Sequence, residues 1–324
     1  MHTVYQLALS TTMITGLLLG GVLSPQAATA VTYYVATDGN DANRGTEERP
    51  FQTIKKGLSV LGAGDTLYLR GGTYNEGIDS QNQTISSGTS WSDPVTIGAY
   101  PGETVTLNGS VNINGYGSTV YQYIIVDGFI LNQKQGFIGG SNAHHVRVQN
   151  GEVTNSPHNG LQVFTSHHIE FINLKVHGNG TSRLGHGFYV CGNDMTIRDC
   201  DVYDNAGYGI QVYNSADPGC STNTQIYNNT IHDNRGDGGV TLNHGDNILF
   251  YNNFVYNNFI GVEVSYGNPT NTQIDSNTIH NNGGGINISP SSIEAIIQNN
   301  ILYQNASAID DHGVRTRLRN NTIE

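Results

Sequence analysis

Four side chains near the middle of this 324-residue chain carry the chemistry of anion recognition and proton transfer. Arg183, His186 and Tyr189 lie in the run Arg183-Leu-Gly-His-Gly-Phe-Tyr189, and Arg235 follows some fifty residues on. A guanidinium is always charged and presents a planar fork of donors that matches a carboxylate. Imidazole and phenol are groups that accept and donate protons during a reaction. Gln162, Tyr208, Gln211, Tyr213, His244 and Lys175 are the further residues expected to touch a ligand. The plainer alternatives are that Tyr189 belongs to an aromatic ladder, that His186 serves a turn, and that the two arginines are surface charges.

What must position these residues is a repeat. One phrase recurs as Asn228-Asn229-Thr230-Ile231-His232-Asp233-Asn234, Asn252-Asn253-Phe254-Val255-Tyr256-Asn257-Asn258 and Ser276-Asn277-Thr278-Ile279-His280-Asn281-Asn282. Anchored on its second apolar residue, the series runs Ile130, Val153, Val176, Val202, Ile231, Val255, Ile279, Leu302, Ile323. A period of 20–30 residues with several short β stretches per repeat predicts a parallel β-solenoid. No coil can bury its own apolar face; coils stacked about 4.8 Å apart share one core. A further strand in each coil alternates inward pairs (Leu161/Val163, Phe188/Val190, Ile210/Val212, Val240/Leu242, Val262/Val264, Ile286/Ile288) with outward Gln162, Tyr189, Gln211, Thr241, Glu263 and Asn287. That is the period of a strand. On this register the candidate residues from three neighbouring coils share one face, and Lys175 lies on a different side of its coil. Asn179, Asn205, Asn234, Asn258, Asn282 and Asn305 form a predicted amide ladder at a turn. His177, Tyr203, His232, Tyr256, His280 and Tyr303 form a predicted stack of rings.

Composition narrows the function. With 14 Lys+Arg against 26 Asp+Glu the formal charge is −12. Such a chain lacks the basic footprint of a nucleic-acid binder. Residues 1–30 read as a secretory signal, with the apolar stretch Met13–Leu23 too short to span a bilayer and Ala28-Thr29-Ala30 as the cleavage site. Residues 31–324 then form one β-helix domain, secreted and monomeric, with no membrane span and an N-terminal cap over 31–75. Within that cap, Phe51, Ile54, Leu58 and Leu61 have helical spacing and predict a helix over 51–61 that covers the open end of the stack. At the other end the phrase Asn320-Asn321-Thr322-Ile323-Glu324 stops without a cap, the expectation for a truncated module. Export permits a disulfide. Cys191 and Cys220 each precede their anchor by 11 residues, which predicts that they pair across neighbouring coils and leave Cys200 free.

The segment Tyr33-Tyr-Val-Ala-Thr-Asp-Gly-Asn-Asp-Ala-Asn-Arg-Gly-Thr-Glu-Glu-Arg-Pro-Phe-Gln-Thr-Ile-Lys-Lys-Gly57, with Gly62-Ala-Gly-Asp-Thr-Leu-Tyr-Leu-Arg-Gly-Gly-Thr-Tyr74, resembles the opening of secreted right-handed parallel β-helix proteins of the pectate-lyase-like superfamily. The later coils are similar to those of mannuronan C5-epimerases. The resemblance implies an all-β, right-handed parallel β-helix and an acidic polysaccharide as partner, cleaved by β-elimination. An epimerase, a glycoside hydrolase or a non-catalytic carbohydrate-binding solenoid on the same scaffold are the alternatives. Where the epimerases carry Asp-Pro-His, this chain reads Tyr189-Val190-Cys191. Elimination needs a group to neutralise the uronate carboxylate, a base and an acid. Arg183 and Arg235 suit the first role, His186 and Tyr189 the other two. Coils of 26 and 29 residues place extra chain at 179–185 and 215–222, where a binding wall is expected. A negative protein meeting a polyanion needs a local basic patch or bridging Ca²⁺, for which Asp237, Asp246 and Glu263 offer oxygens; no metal ligand set is assigned.

Overall fold

A computed structural model describes residues 29–213 and 220–324. The expected signal and most of the second insertion therefore lie outside the described residues. Thirty-two short strands wind into a parallel solenoid. A coil presents three faces in turn: Thr196–Arg198 on the first, Asp201–Tyr203 on the second and Ile210–Val212 on the third. Each strand pairs in parallel with its counterpart one coil on, as Thr196↔Gln225, Asp201↔Thr230 and Ile210↔Val240 show. All twelve inward residues of the third-face alternation are buried in one continuous core cluster.

The anchors hold from Val153 to Ile323, but the first is displaced by one. Leu131, not Ile130, pairs with Val153 and is buried, because a one-residue shift turns every strand side chain to the other side. The second face is an 11-stranded sheet, but the first and third are joined into one of 21 strands. The joint is Leu161–Ile172, a 12-residue strand that passes from one face to the other through a register shift between Phe164 and His167. Within the segment expected as a helix over 51–61, a shorter helix forms at Ile54–Leu58. Phe51 bridges to Val35 in parallel fashion, and Thr53 caps the helix by accepting from the Lys56 N–H at 3.1 Å. Ile54 and Leu58 are buried, and the helix packs on Thr32–Val35 and Thr66–Leu69.

The corner between first and second faces is uniform. Residues 173, 199, 228, 252, 276, 299 and 320 all take a left-handed backbone, a conformation Asn and Asp tolerate. Asn229, Asn253, Asn277, Asn300 and Asn321 follow and form an amide ladder at 3.0–3.1 Å, buried as far as Asn300. Cys200 takes the ladder position in its coil, where its N–H donates to the Asn229 Oδ1 at 3.0 Å. At the corner between second and third faces the predicted ladder Asn179 to Asn305 is present, each amide donating to the next Oδ1 at 3.0–3.2 Å. Beside it the rings from His177 to Tyr303 stack at 4.6–5.2 Å. Cys191 and Cys220 form the expected disulfide with Cα atoms 5.2 Å apart, and Cys200 is buried and free.

Candidate active-site groove

The outward residues of the third face stand in register: Gln162, Tyr189, Gln211, Thr241, Glu263 and Asn287. Parallel pairing in a solenoid forces this, since each coil repeats the same inward set. The variable corners on either side rise as walls and enclose a groove of about 420 Å³ over the Gln211 and Glu263 coils. Arg183 and Asp237 form an ion pair on one wall, where Arg183 is 71% exposed. The Tyr208 hydroxyl donates to Glu263 Oε2 at 2.7 Å across the floor. Burial and the adjacent carboxylate push the Tyr208 phenol up, so it holds its proton at neutral pH. Among the described residues Gln211 Oε1 is buried without a hydrogen-bond partner, as are Thr241 Oγ1 and Asn287 Oδ1 further along the same row. Phe259 and Tyr266 also line the groove and are 70% and 67% exposed, open for stacking on an apolar sugar face.

Among the expected residues, Arg183, Tyr208, Gln211 and Tyr213 meet in this groove. His186 lies behind it. Its side chain is buried, its Nδ1 accepts the Tyr208 backbone N–H at 2.9 Å, and its ring is flanked by Tyr189 and Tyr208, each at 5.8 Å. Burial pulls its imidazole down to about 4, so it is neutral and supports Tyr208. Tyr189 sits between the His186 ring and Phe164, the latter at 5.4 Å, and burial raises its phenol. It stands one coil back from Gln211 and outside the groove lining. His244 is buried under Tyr213, ring centroids 5.0 Å apart; it fits because Gly267, with φ of +71°, has no Cβ to collide with it. Gln162 is two coils back from Gln211, bonded to Gln135 and Asn159. Two further expected residues point elsewhere altogether. Arg235 turns to Asp204 at 3.3 Å, and Lys175 lies on the second face in a separate depression beside Glu152.

Sequence reasoning did not single out Phe259 or Tyr266. The signal for Phe259 was legible: the residue after each ladder Asn reads Gly180, Ala206, Arg235, Phe259, Gly283 and Ala306, and only one is aromatic. Calcium does not fit this groove. Asp237 and Glu263 are held by Arg183 and Tyr208, and Asp246 bonds Asn271 elsewhere. Among the described residues no three carboxylates converge, whereas Ca²⁺ takes six to eight oxygens.

The fold is shared with known proteins. A crystal structure of pectate lyase Pel9A superposes with a TM-score of 0.62 at 17% identity, covering 88% of this chain and 78% of that one. The Azotobacter vinelandii mannuronan C-5 epimerase AlgE6 A-module gives 0.52 at 16% identity, covering 81% and 91%. In sequence, pectate lyase PEL9 of Emericella nidulans is 42% identical over 83 residues, 26% of this chain and 20% of the relative's length. The chain therefore spans only a minor part of that curated relative. Residues 33–313 match the family described as "Pel9A-like, right handed beta helix region", and the chain belongs to that family.

Proposed function

We propose that this protein is a secreted, monomeric polysaccharide lyase that cleaves a uronate-containing chain by β-elimination in the groove between Arg183 and Glu263. The observation that carries the reading is the Tyr208–Glu263 hydrogen bond facing Arg183 across one groove. Arg183 engages the uronate carboxylate and makes the C5 proton acidic. Glu263 takes that proton, and the C4–O4 bond breaks as the C4=C5 bond forms. Tyr208 gives its proton to the departing O4. Proton return from Glu263 to Tyr208, along their own hydrogen bond, restores both groups. Phe259 and Tyr266 stack on neighbouring sugars.

Family membership supports an enzyme of polysaccharides, and the Cys191–Cys220 disulfide supports export. Among the described residues no helix is long and apolar enough to cross a membrane. The test is the ultraviolet absorbance of unsaturated uronate on mixing with pectate, alginate, hyaluronan and chondroitin. Absorbance with any of them supports elimination. Inverted uronates in chains of unchanged length, read by proton NMR, would establish an epimerase instead.

A further inference from the structure

A second cluster lies away from the groove, at the corner between the third and first faces. In successive coils this corner takes a left-handed residue: Tyr123, His145, His168, Asp194, Asn223, Asn247 and Asn271. Asn and Asp suit that backbone; imidazole is the bulkier choice, and it occurs in two consecutive coils. Each is preceded by another histidine, so the pairs His144-His145 and His167-His168 recur one coil apart. Parallel register sets His144 over His167 at 4.7 Å and His145 over His168 at 4.4 Å.

We propose that His145, His167 and His168 bind one divalent transition-metal ion of the Zn²⁺, Ni²⁺ or Cu²⁺ type, bridging two coils. One ring nitrogen from each lies within 4.8 Å of the other two. Three nitrogens around a tetrahedral ion sit about 3.3 Å apart, so side-chain rotations of roughly an ångström close the site. Imidazole nitrogens select these ions over Ca²⁺ and Mg²⁺, which prefer oxygen. His167 and His168 Nδ1 are 2.8 Å apart, a contact that in neutral rings leaves one of the two nitrogens with a lone pair. Asp194 Oδ2 lies 4.0 Å from His168 Nδ1, placed to orient that ring or to complete the shell. The neighbouring Arg147 is neutralised by Glu170 and stacks over Trp91, so it adds little repulsion.

The experiment is calorimetric titration of tag-free full-length protein with Zn²⁺ alone, beside the Co²⁺ absorption spectrum. One ion per chain and a visible Co²⁺ band of nitrogen coordination are expected. The variant His145→Asn/His167→Gln/His168→Asn keeps residues this corner already tolerates and should weaken binding by more than about 100-fold, beyond the loss that an outer-shell partner gives. Asp194→Asn should weaken it about 10-fold, and His312→Ala, an exposed histidine elsewhere, should not. Equal affinity in wild type and triple variant, or no saturable binding in wild type, overturns the proposal. Should the triple variant unfold, the wild-type Co²⁺ spectrum decides: a band typical of the aqueous ion alone overturns it.

Discussion

Removing one rung of the amide ladder tests what holds the coils in register beside the groove. The chosen change is Asn258→Ala, next to Phe259. Asn258 is buried, and its side chain makes five hydrogen bonds. Its Oδ1 accepts the Asn234 N–H and Nδ2, both at 3.1 Å. Its Nδ2 donates to Ile231 O at 3.1 Å, Tyr256 O at 2.8 Å and Asn282 Oδ1 at 3.2 Å. Several partners keep a second bond: Asn234 Nδ2 still reaches Val202 O, and Asn282 Oδ1 still accepts the residue 258 N–H. The Asn234 N–H loses its side-chain acceptor, and an orphaned buried donor costs about 1–3 kcal/mol. The remaining losses, at about 0.5–1.5 kcal/mol each and partly compensated, bring the expected destabilisation to roughly 3–5 kcal/mol. Asn305→Ala, at the half-buried last rung, loses three such bonds rather than five and should cost less, about 1–3 kcal/mol. Guanidinium unfolding with the m-value monitored measures both. A shift below about 1 kcal/mol at Asn258, or one no larger than at Asn305, would refute the claim that buried amides secure the stack.

Tyr208→Phe should lower kcat by about 10²–10⁴-fold, the range for loss of a proton-transfer group, while Tyr189→Phe keeps most of the turnover; the reverse pattern moves the chemistry one coil back. Phe259→Ala and Tyr266→Ala should raise KM more than they lower kcat, measured on the same substrate. Cys191→Ser should destabilise by ~3–4 kcal/mol, as expected for a 29-residue separation, with unfolding of the reduced wild type as the comparison. The His186 imidazole is held down to about 4 in the folded protein, against about 6.5 when unfolded. The unfolded chain thus binds the extra proton between these values, and stability must fall on acidification through that window, by up to about 1.4 kcal/mol per pH unit. His186→Gln should flatten this part of the pH–stability curve.

The solenoid was legible because its constraint is local and repeated. Each coil needs the same inward pair and the same turn Asn, so the phrase around Ile231 and Val255 states the architecture many times. The register failed at Ile130, where Phe129-Ile-Leu-Asn offers apolar residues in sequence and only the neighbouring coil decides which turns inward. The groove was half legible. Tyr208, Gln211, Tyr213 and Arg183 followed from counting, but side-chain direction at the corners did not. Arg183 and Arg235 look equivalent in the sequence, yet one meets Asp237 over the third face and the other meets Asp204. Nothing in residue spacing distinguishes a histidine facing a groove from one enclosed behind it, as His186 is. The paired histidines at 144–145 and 167–168 carried their own signal, a dipeptide recurring one coil apart.

The corner between first and second faces has a further consequence, for how such a protein can change. From Thr196–Arg198 to Asp201–Tyr203 and in each later coil, two residues make this bend, one left-handed and one in the buried ladder position. An added residue there would throw both adjoining strands out of phase at once. Of the bends flanking the groove, those entering the third face run from three residues, as between Tyr256 and Ile260, to ten between His177 and Phe188, and those leaving it from two, between Asn193 and Thr196, to twelve between Val212 and Gln225. One edge of the molecule is therefore a fixed ruler, and the other two are free margins. Drift in length accumulates only along the margins, and those margins flank the face that holds the groove. A lineage can lengthen, shorten or exchange the walls around a sugar chain while the ruler keeps every strand in step.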